Sequence, residues 1–191
     1  MSVSGLILAA GAGTRFADGD EGVVKQLNDF RDQPLLQWAI DAHCAVEELD
    51  RVLVVLGANA ELIARTIRLG RAQAAVCVDW DAGLSASLRL GMHALAEFDR
   101  VIVTLADQPL IDANLIRRFV HEPAGTRAAY NGRPGHPVVL GNEHRAAIDQ
   151  LSGDQGARTL LAHARLIECG QAATADVDTI TELQNWSDQS S

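Results

Sequence analysis

The chain is short of lysine. Its 16 basic residues comprise 15 arginines and Lys25. A compositional leftover would look like this. So would a position that needs a compact ammonium, which a planar guanidinium does not replace. Bases as a whole are outnumbered, 16 against 25 acids, for a formal charge of −9. An acidic surface repels nucleic acid and anionic lipid, so neither is an expected partner. A small anionic substrate would then need a local cationic site. Cysteine is scarce as well. Cys44, Cys77 and Cys169 are widely spaced, odd in number and without a C-x-x-C pair. That pattern suggests neither a disulfide framework nor a zinc site. The three read as reduced, mostly buried thiols of a cytoplasmic protein. No apolar run approaches the roughly 20 residues of a membrane span. The N-terminus has no basic leader, and its apolar run at 6–10 is short and closed by glycines, unlike a signal peptide.

What is there is ample apolar material, 48% of 191 residues, enough for the core of one domain. Predominantly apolar runs at 3–10, 51–56, 74–78 and 101–105 predict strands. Helical stripes separate them: Leu35, Leu36, Ala39 and Ile40; then Leu62, Ile63 and Ile67; then Leu88, Met92 and Leu95. Asp112 is placed to cap a helix through Val120. Strand–helix alternation with fully apolar strands predicts an α/β fold, a Rossmann-like, mostly parallel sheet with helices on both faces. Ligands of such sheets sit beyond the carboxyl ends of the strands. Residues 127–140 read as a turn-rich, antiparallel insertion, followed by short helices at 143–151 and 155–163. The domain is expected to span 1–185, with 127–163 as a substrate-side insertion and 186–191 as a polar tail.

Several strings carry chemistry. Leu8-Ala9-Ala10-Gly11-Ala12-Gly13-Thr14-Arg15-Phe16 follows the first strand. Small residues let a phosphate approach the backbone N–H groups, and Arg15 adds a forked cation. The G-x-x-x-x-G-K-[ST] of a Walker loop is missing. A dinucleotide loop, G-x-G-x-x-G, is matched by Gly11 and Gly13 but has Phe16 at its third glycine. The second strand also ends in Leu56-Gly57-Ala58-Asn59, without the acid that meets a ribose. A turn packed for geometry alone stays open. Gly83-Leu84-Ser85-Ala86-Ser87 opens a helix, either as an ordinary serine cap or as a set of N–H and hydroxyl donors. Asp107, in Leu105-Ala106-Asp107-Gln108-Pro109, stands at a strand's carboxyl end, where it can turn the chain or ligate Mg²⁺. Gly132-Arg133-Pro134-Gly135-His136-Pro137 reads as a rigid turn presenting one histidine with little core around it. Gly153-Asp154-Gln155-Gly156-Ala157-Arg158 is a second glycine-rich helix start. Its Arg158 opposes the helix dipole, a misfit that an anionic ligand would relieve. Asp176-Val177-Asp178-Thr179 is placed to cap a last helix.

Taken in order, these strings resemble one family from about residue 5 to 183. L-A-A-G-x-G-x-R-F followed by Lys25 is similar to the signature loop of nucleotidyltransferases with the nucleotide-diphospho-sugar transferase fold. G-x-S-x-S-L-R-x-G, L-A-D-Q-P, G-x-x-G-H-P, G-D-Q-G-A-R and D-V-D-T resemble segments of the molybdenum cofactor cytidylyltransferases. The chain departs from the pattern in the acidic insert before Lys25 and in Ile180-Thr181-Glu182, where the family continues P-E-D.

The resemblance implies transfer of CMP from CTP to the terminal phosphate of molybdopterin, with Mg²⁺ as cofactor and loss of pyrophosphate. Arg15, Lys25 and Asp107 are then the expected catalytic residues. Leu8 to Thr14, Arg15, Lys25, Gly57, Gly83, Ser85, Ser87 and Asp107 would hold the nucleotide. Gln108, Gly135, His136, Pro137, Gly153, Asp154, Gly156 and Arg158 would face the pterin. Asp107 with Asp178, or with Asp176, would hold the metal. Partners implied are CTP or GTP, the molybdopterin cofactor, and a molybdoenzyme or its maturation factor. GTP-using members read L-A-G-G, and the methyl of Ala10 narrows the space a purine needs. Alternatives are a guanylyltransferase on the same cofactor, a cytidylyltransferase for a sugar or polyol phosphate, and a non-catalytic cofactor escort.

Overall fold

The computed structural model describes residues 1–17, 22–170 and Thr179, with Arg15 described by its backbone only. Seven strands form one sheet in the order β5-β4-β1-β6-β8-β7-β9. They are β1 (Val3–Ala9), β4 (Arg51–Leu56), β5 (Gln73–Val76), β6 (Arg100–Leu105), β7 (Thr126–Tyr130), β8 (Arg133–Gly141) and β9 (Arg165–Glu168). A two-stranded hairpin, β2 (Asp29–Phe30) and β3 (Gln33–Pro34), stands apart. The helices are α1 (Thr14–Ala17), α2 (Leu35–Cys44), α3 (Ala60–Thr66), α4 (Leu84–Ala94), α5 (Ala113–Phe119), α6 (Arg145–Asp149) and α7 (Ala157–Leu160). Among the described residues no helix is long and apolar enough to cross a membrane.

The apolar strands are unbroken because both faces of the sheet are covered. Side chains alternate between the faces along a strand. Val3, Ile7 and Ala9 of β1 pack with Val52, Val54 and Leu56 of β4 in one buried cluster, under Leu36 and Ile40 of α2 and Ile116 and Phe119 of α5. Leu6, Leu8, Leu53 and Val55 face the other way, against Leu88 and Met92 of α4 and Ile148 of α6. β5, β4, β1 and β6 run parallel. β8 is antiparallel to both β6 and β7, and β9 is parallel to β7, so β8 alone is reversed.

The segment 127–140 is antiparallel as expected, and its strands join the main sheet, β8 pairing Arg100–Val103 of β6. Two details differ from the sequence expectation. Leu62 is 51% exposed, since the seven-residue α3 turns only Ile63 fully inward. Cys77 is buried while Cys44 and Cys169 are only partly so. Asp112 caps α5 as expected, its side chain accepting from the Leu115 N–H at 2.8 Å.

Candidate functional site

A cleft of about 590 Å³ opens beyond the carboxyl ends of β1 and β6. Leu8 to Thr14 form one wall, Leu105 to Asp107 the floor, and Trp80, Gly83, Leu84 and Ser87 the opposite wall. The glycine loop is held from behind. Gln26 donates from Nε2 to the carbonyls of Ala9 (3.0 Å) and Gly11 (2.6 Å). The Ala58 N–H donates to Ala10 O at 3.0 Å, and Ala17 N–H to Gly13 O at 3.0 Å. The N–H groups of Gly11, Ala12 and Gly13 have no acceptor among the described residues. A loop whose carbonyls are occupied and whose N–H groups are open suits an anion. Gly13 is required here: its φ is +65°, and a Cβ would lie 2.7 Å from Lys25 Cβ.

Lys25 starts a single 3₁₀ turn, Lys25–Leu27, and its Nζ reaches Asp107 Oδ2 at 2.7 Å. The two side chains are 12% and 25% exposed. Phosphate and metal were expected to engage this lysine and this aspartate separately; here the two form an ion pair across 82 positions of sequence. The other carboxylate oxygen, Asp107 Oδ1, is buried and has no hydrogen-bond partner among the described residues. An orphaned anionic oxygen in a cleft fits a hard cation, and Mg²⁺ takes one or two carboxylates plus phosphate oxygens. The cleft is not uniformly cationic. Its described charged lining residues are Lys25 against Asp81, Asp107 and Asp154. A triphosphate entering it therefore gains from an accompanying divalent cation.

Of the expected nucleotide contacts, Leu8 to Thr14, Lys25, Gly83, Ser87 and Asp107 line the cleft. Gly57 and Ser85 do not. Gly57 is a packing residue, because a Cβ there would lie 2.6 Å from Ala10 O. Ser85 is 2% exposed and its N–H is spent on Gly153 O at 3.0 Å. The side chain of Arg15, and Asp176 and Asp178, lie outside the described residues.

The expected acceptor-side residues divide similarly. Asp154 lines the cleft. Gln108 Nε2 stands 3.4 Å from His136 Nδ1. Gly135 packs on the Tyr130 ring, and Gly156 on Leu84, where an added Cβ would meet side-chain carbon at 2.8 and 2.7 Å respectively. Pro137 is buried after a cis peptide bond. Arg158 is exposed on α7.

His136 is not a loop histidine. It lies in β8, its carbonyl accepts the Tyr130 hydroxyl, and burial, followed by the nearby Arg127 charge, lowers its pKa from 6.5 to about 4. Some of its surface still meets solvent, but it is densely surrounded by protein and neutral at pH 7. Burial likewise pushes the Tyr130 hydroxyl well above its ordinary value.

The sequence reading gave no role to Gln26, Trp80, Asp81 or Arg127. Gln26 could have been noticed as a buried amide beside the lone lysine. The others leave no local signal.

A glycine loop with open N–H groups, a lysine–carboxylate pair at its foot and a mostly parallel sheet with one reversed strand define the α/β nucleotidyltransferase class. Within that class, the chain belongs to the MobA-like NTP transferase domain family, whose model matches residues 5–169. A curated relative, nicotine blue oxidoreductase of Paenarthrobacter nicotinovorans, is 32% identical over 197 residues, covering 95% of this chain and 94% of its own. Among solved structures, Rv0371c of Mycobacterium tuberculosis H37Rv superposes with a TM-score of 0.85 at 24% identity, covering 98% of each chain. Rv0371c is also known in complex with manganese, at a TM-score of 0.82 and 23% identity over 98% of this chain and 99% of its own. A nucleotidyl transferase from Methanothermobacter superposes at 0.79 with 20% identity, covering 98% of this chain and 97% of its own.

Proposed function

We propose that this nucleotidyltransferase moves CMP from CTP onto the terminal phosphate of molybdopterin. A phosphate oxygen of the acceptor attacks the α-phosphorus, the bond to the β-phosphate oxygen breaks, and pyrophosphate departs with the negative charge. Positioning and charge neutralisation supply most of the catalysis in such transfers. The observation that carries the reading is the divided Asp107 carboxylate, with one oxygen on Lys25 and the other buried and unpartnered, in the same cleft that residues 11–13 line. Asp107, joined by Asp178, would hold Mg²⁺, which when bound neutralises phosphate charge. Manganese bound to Rv0371c agrees with a divalent ion in this fold. Lys25 and Arg15 would steady the triphosphate and the leaving group. Ala10, 4% exposed in the cleft wall, favours a pyrimidine over a purine.

The relative named nicotine blue oxidoreductase supports a second reading, an oxidoreductase. Against it, Phe16 is buried where a dinucleotide loop has its third glycine, and Asn59 follows β4 where a ribose-binding acid would stand. One experiment separates the two. Thermal shifts are measured with CTP, GTP, UTP and ATP, each with Mg²⁺, and with NADH and NADPH. Pyrophosphate release is then followed on adding molybdopterin. The transferase reading expects the largest shift with CTP and pyrophosphate formed in step with consumed pterin. Stabilisation by a nicotinamide nucleotide and silence with all four triphosphates would overturn it. A phosphate-bearing sugar replacing the pterin would retain the chemistry and change the acceptor.

A further inference from the structure

Among the described residues, Arg127 is a buried arginine without a hydrogen-bond or ion-pair partner. Several other arginines are spent on carbonyls. Arg71 donates to the carbonyls of Cys44, His43, Val46 and Leu49, Arg145 to those of Met92 and Leu95, Arg89 to that of Leu151, and Arg100 to that of Glu122. Arg127 is 5% exposed, its Nε is buried without an acceptor, and no carboxylate or carbonyl among the described residues receives its guanidinium. A buried cation without a partner is costly, and proteins rarely keep one without a use.

Its position gives the use. Arg127 in β7 is registered opposite Val138 of β8, and directly paired residues project from the same face of a sheet. Val138 packs on the α4/α6 face with Ala157 and Leu161, so Arg127 emerges beneath α7, the helix that carries Arg158. Each lacks an acidic partner among the described residues, and burial, followed by the Arg158 charge, lowers the pKa of Arg127. The Arg127 charge is felt in turn at His136, whose Nδ1 faces Gln108, the residue after Asp107. His136, whose Nδ1 lies 3.4 Å from Gln108, links these two unpaired arginines to the residue after Asp107. In a chain of charge −9, that is a local receptor for an anion. A guanidinium fork matches the oxygens of a phosphate better than an ammonium does.

We infer that Arg127, with Arg158, binds the phosphate of the acceptor and holds it toward the α-phosphorus above Asp107. The inference rests on the reading of the cleft as a nucleotidyltransferase site. The acceptor is then a phosphomonoester, and Arg127 selects for its charge.

Inorganic phosphate tests this by isothermal titration into the full chain saturated with CTP and Mg²⁺, so that the glycine loop is already filled. Phosphate should bind the wild type. Arg127→Met should weaken it by about tenfold or more, the range for one charge-assisted hydrogen bond, while CTP affinity stays as in wild type. In phosphate-free buffer Arg127→Met should melt higher than wild type, because an unpaired buried charge has been removed. Phosphate should also raise the pKa of His136, followed by NMR.

Unchanged phosphate affinity in a folded Arg127→Met protein overturns the inference. So does phosphate binding lost in Lys25→Ala and kept in Arg127→Met, which puts the anion on the glycine loop. Should the methionine variant not fold, Arg127→Lys decides: weakened phosphate binding with CTP binding retained supports the role, and unchanged binding refutes it. Failure of CTP to bind at all would sink the parent reading instead, and phosphate titration of the nucleotide-free chain would still report on Arg127.

Discussion

Replacing Gly13 by alanine tests how the glycine loop and the lysine depend on each other. At φ +65° the alanine is in the left-handed region, a cost of about 1 kcal/mol. Its Cβ would lie 2.7 Å from Lys25 Cβ, against the roughly 3.5–4.0 Å of an ordinary carbon contact. That neighbour is the stem of the lysine, which cannot swing aside without moving the backbone of its 3₁₀ turn. A shift of about 1 Å there draws Nζ from Asp107 Oδ2 and Gln26 Nε2 from the loop carbonyls. A charge-assisted hydrogen bond is worth about 1.5–3 kcal/mol, and less here because Asp107 keeps a quarter of its surface in water. The sum is a destabilisation of about 2–4 kcal/mol, with CTP affinity reduced by about tenfold or more. Urea unfolding gives the first quantity and calorimetric titration the second. Gly11→Ala is the control for stability, since a Cβ at Gly11 meets nothing within 4 Å; it should change stability by less than about 0.5 kcal/mol. A Gly13→Ala protein as stable as Gly11→Ala, with CTP bound as in wild type, would refute the reasoning.

Lys25→Arg should not support transfer, because a planar fork does not reproduce the compact ammonium that meets Asp107 Oδ2 at 2.7 Å; turnover within about twofold of wild type would contradict this. Ala10→Gly should let GTP compete with CTP, by up to about 1–3 kcal/mol, read as the ratio of their kcat/KM values. His43 is fully buried, with Nδ1 2.8 Å from Ala39 O and Nε2 3.4 Å from the Thr104 hydroxyl. Burial chiefly lowers its pKa from 6.5 to about 4. The unfolded chain therefore binds the extra proton, so this stability is complete above about pH 6.5 and lost as pH falls through 4. The loss at pH 5 is roughly 2 kcal/mol, and urea midpoints at pH 7 and pH 5 should diverge less in His43→Gln.

The fold was legible because its signals are local. Alternating faces within β1 and β4, and the stripes of α2 and α4, are written in consecutive residues. Asp107 and the glycine loop were legible because each sits where a strand ends, the place where such sheets bind ligands. Leu62 misled because one helical face was drawn too wide for a helix of two turns. His136 misled because Gly and Pro around it suggest a turn, whereas β8 continues through it. Arg127 was invisible: Thr126-Arg127-Ala128-Ala129-Tyr130 does not say that the strand lies between β8 and β9, with its arginine under α7. The Lys25–Asp107 pair is of the same kind, a contact made by topology between residues that each pointed elsewhere.

In the proposed reaction Asp107 would offer its unpartnered oxygen to a divalent cation that arrives with a nucleoside triphosphate. Manganese(II) electron paramagnetic resonance reads this directly, since the six-line signal of the free ion fades as it binds. Wild-type protein with CTP should take up Mn²⁺, and Asp107→Asn, shown folded by circular dichroism, should bind the Mn²⁺–CTP complex at least about tenfold more weakly. Equal uptake by the asparagine variant would contradict the account.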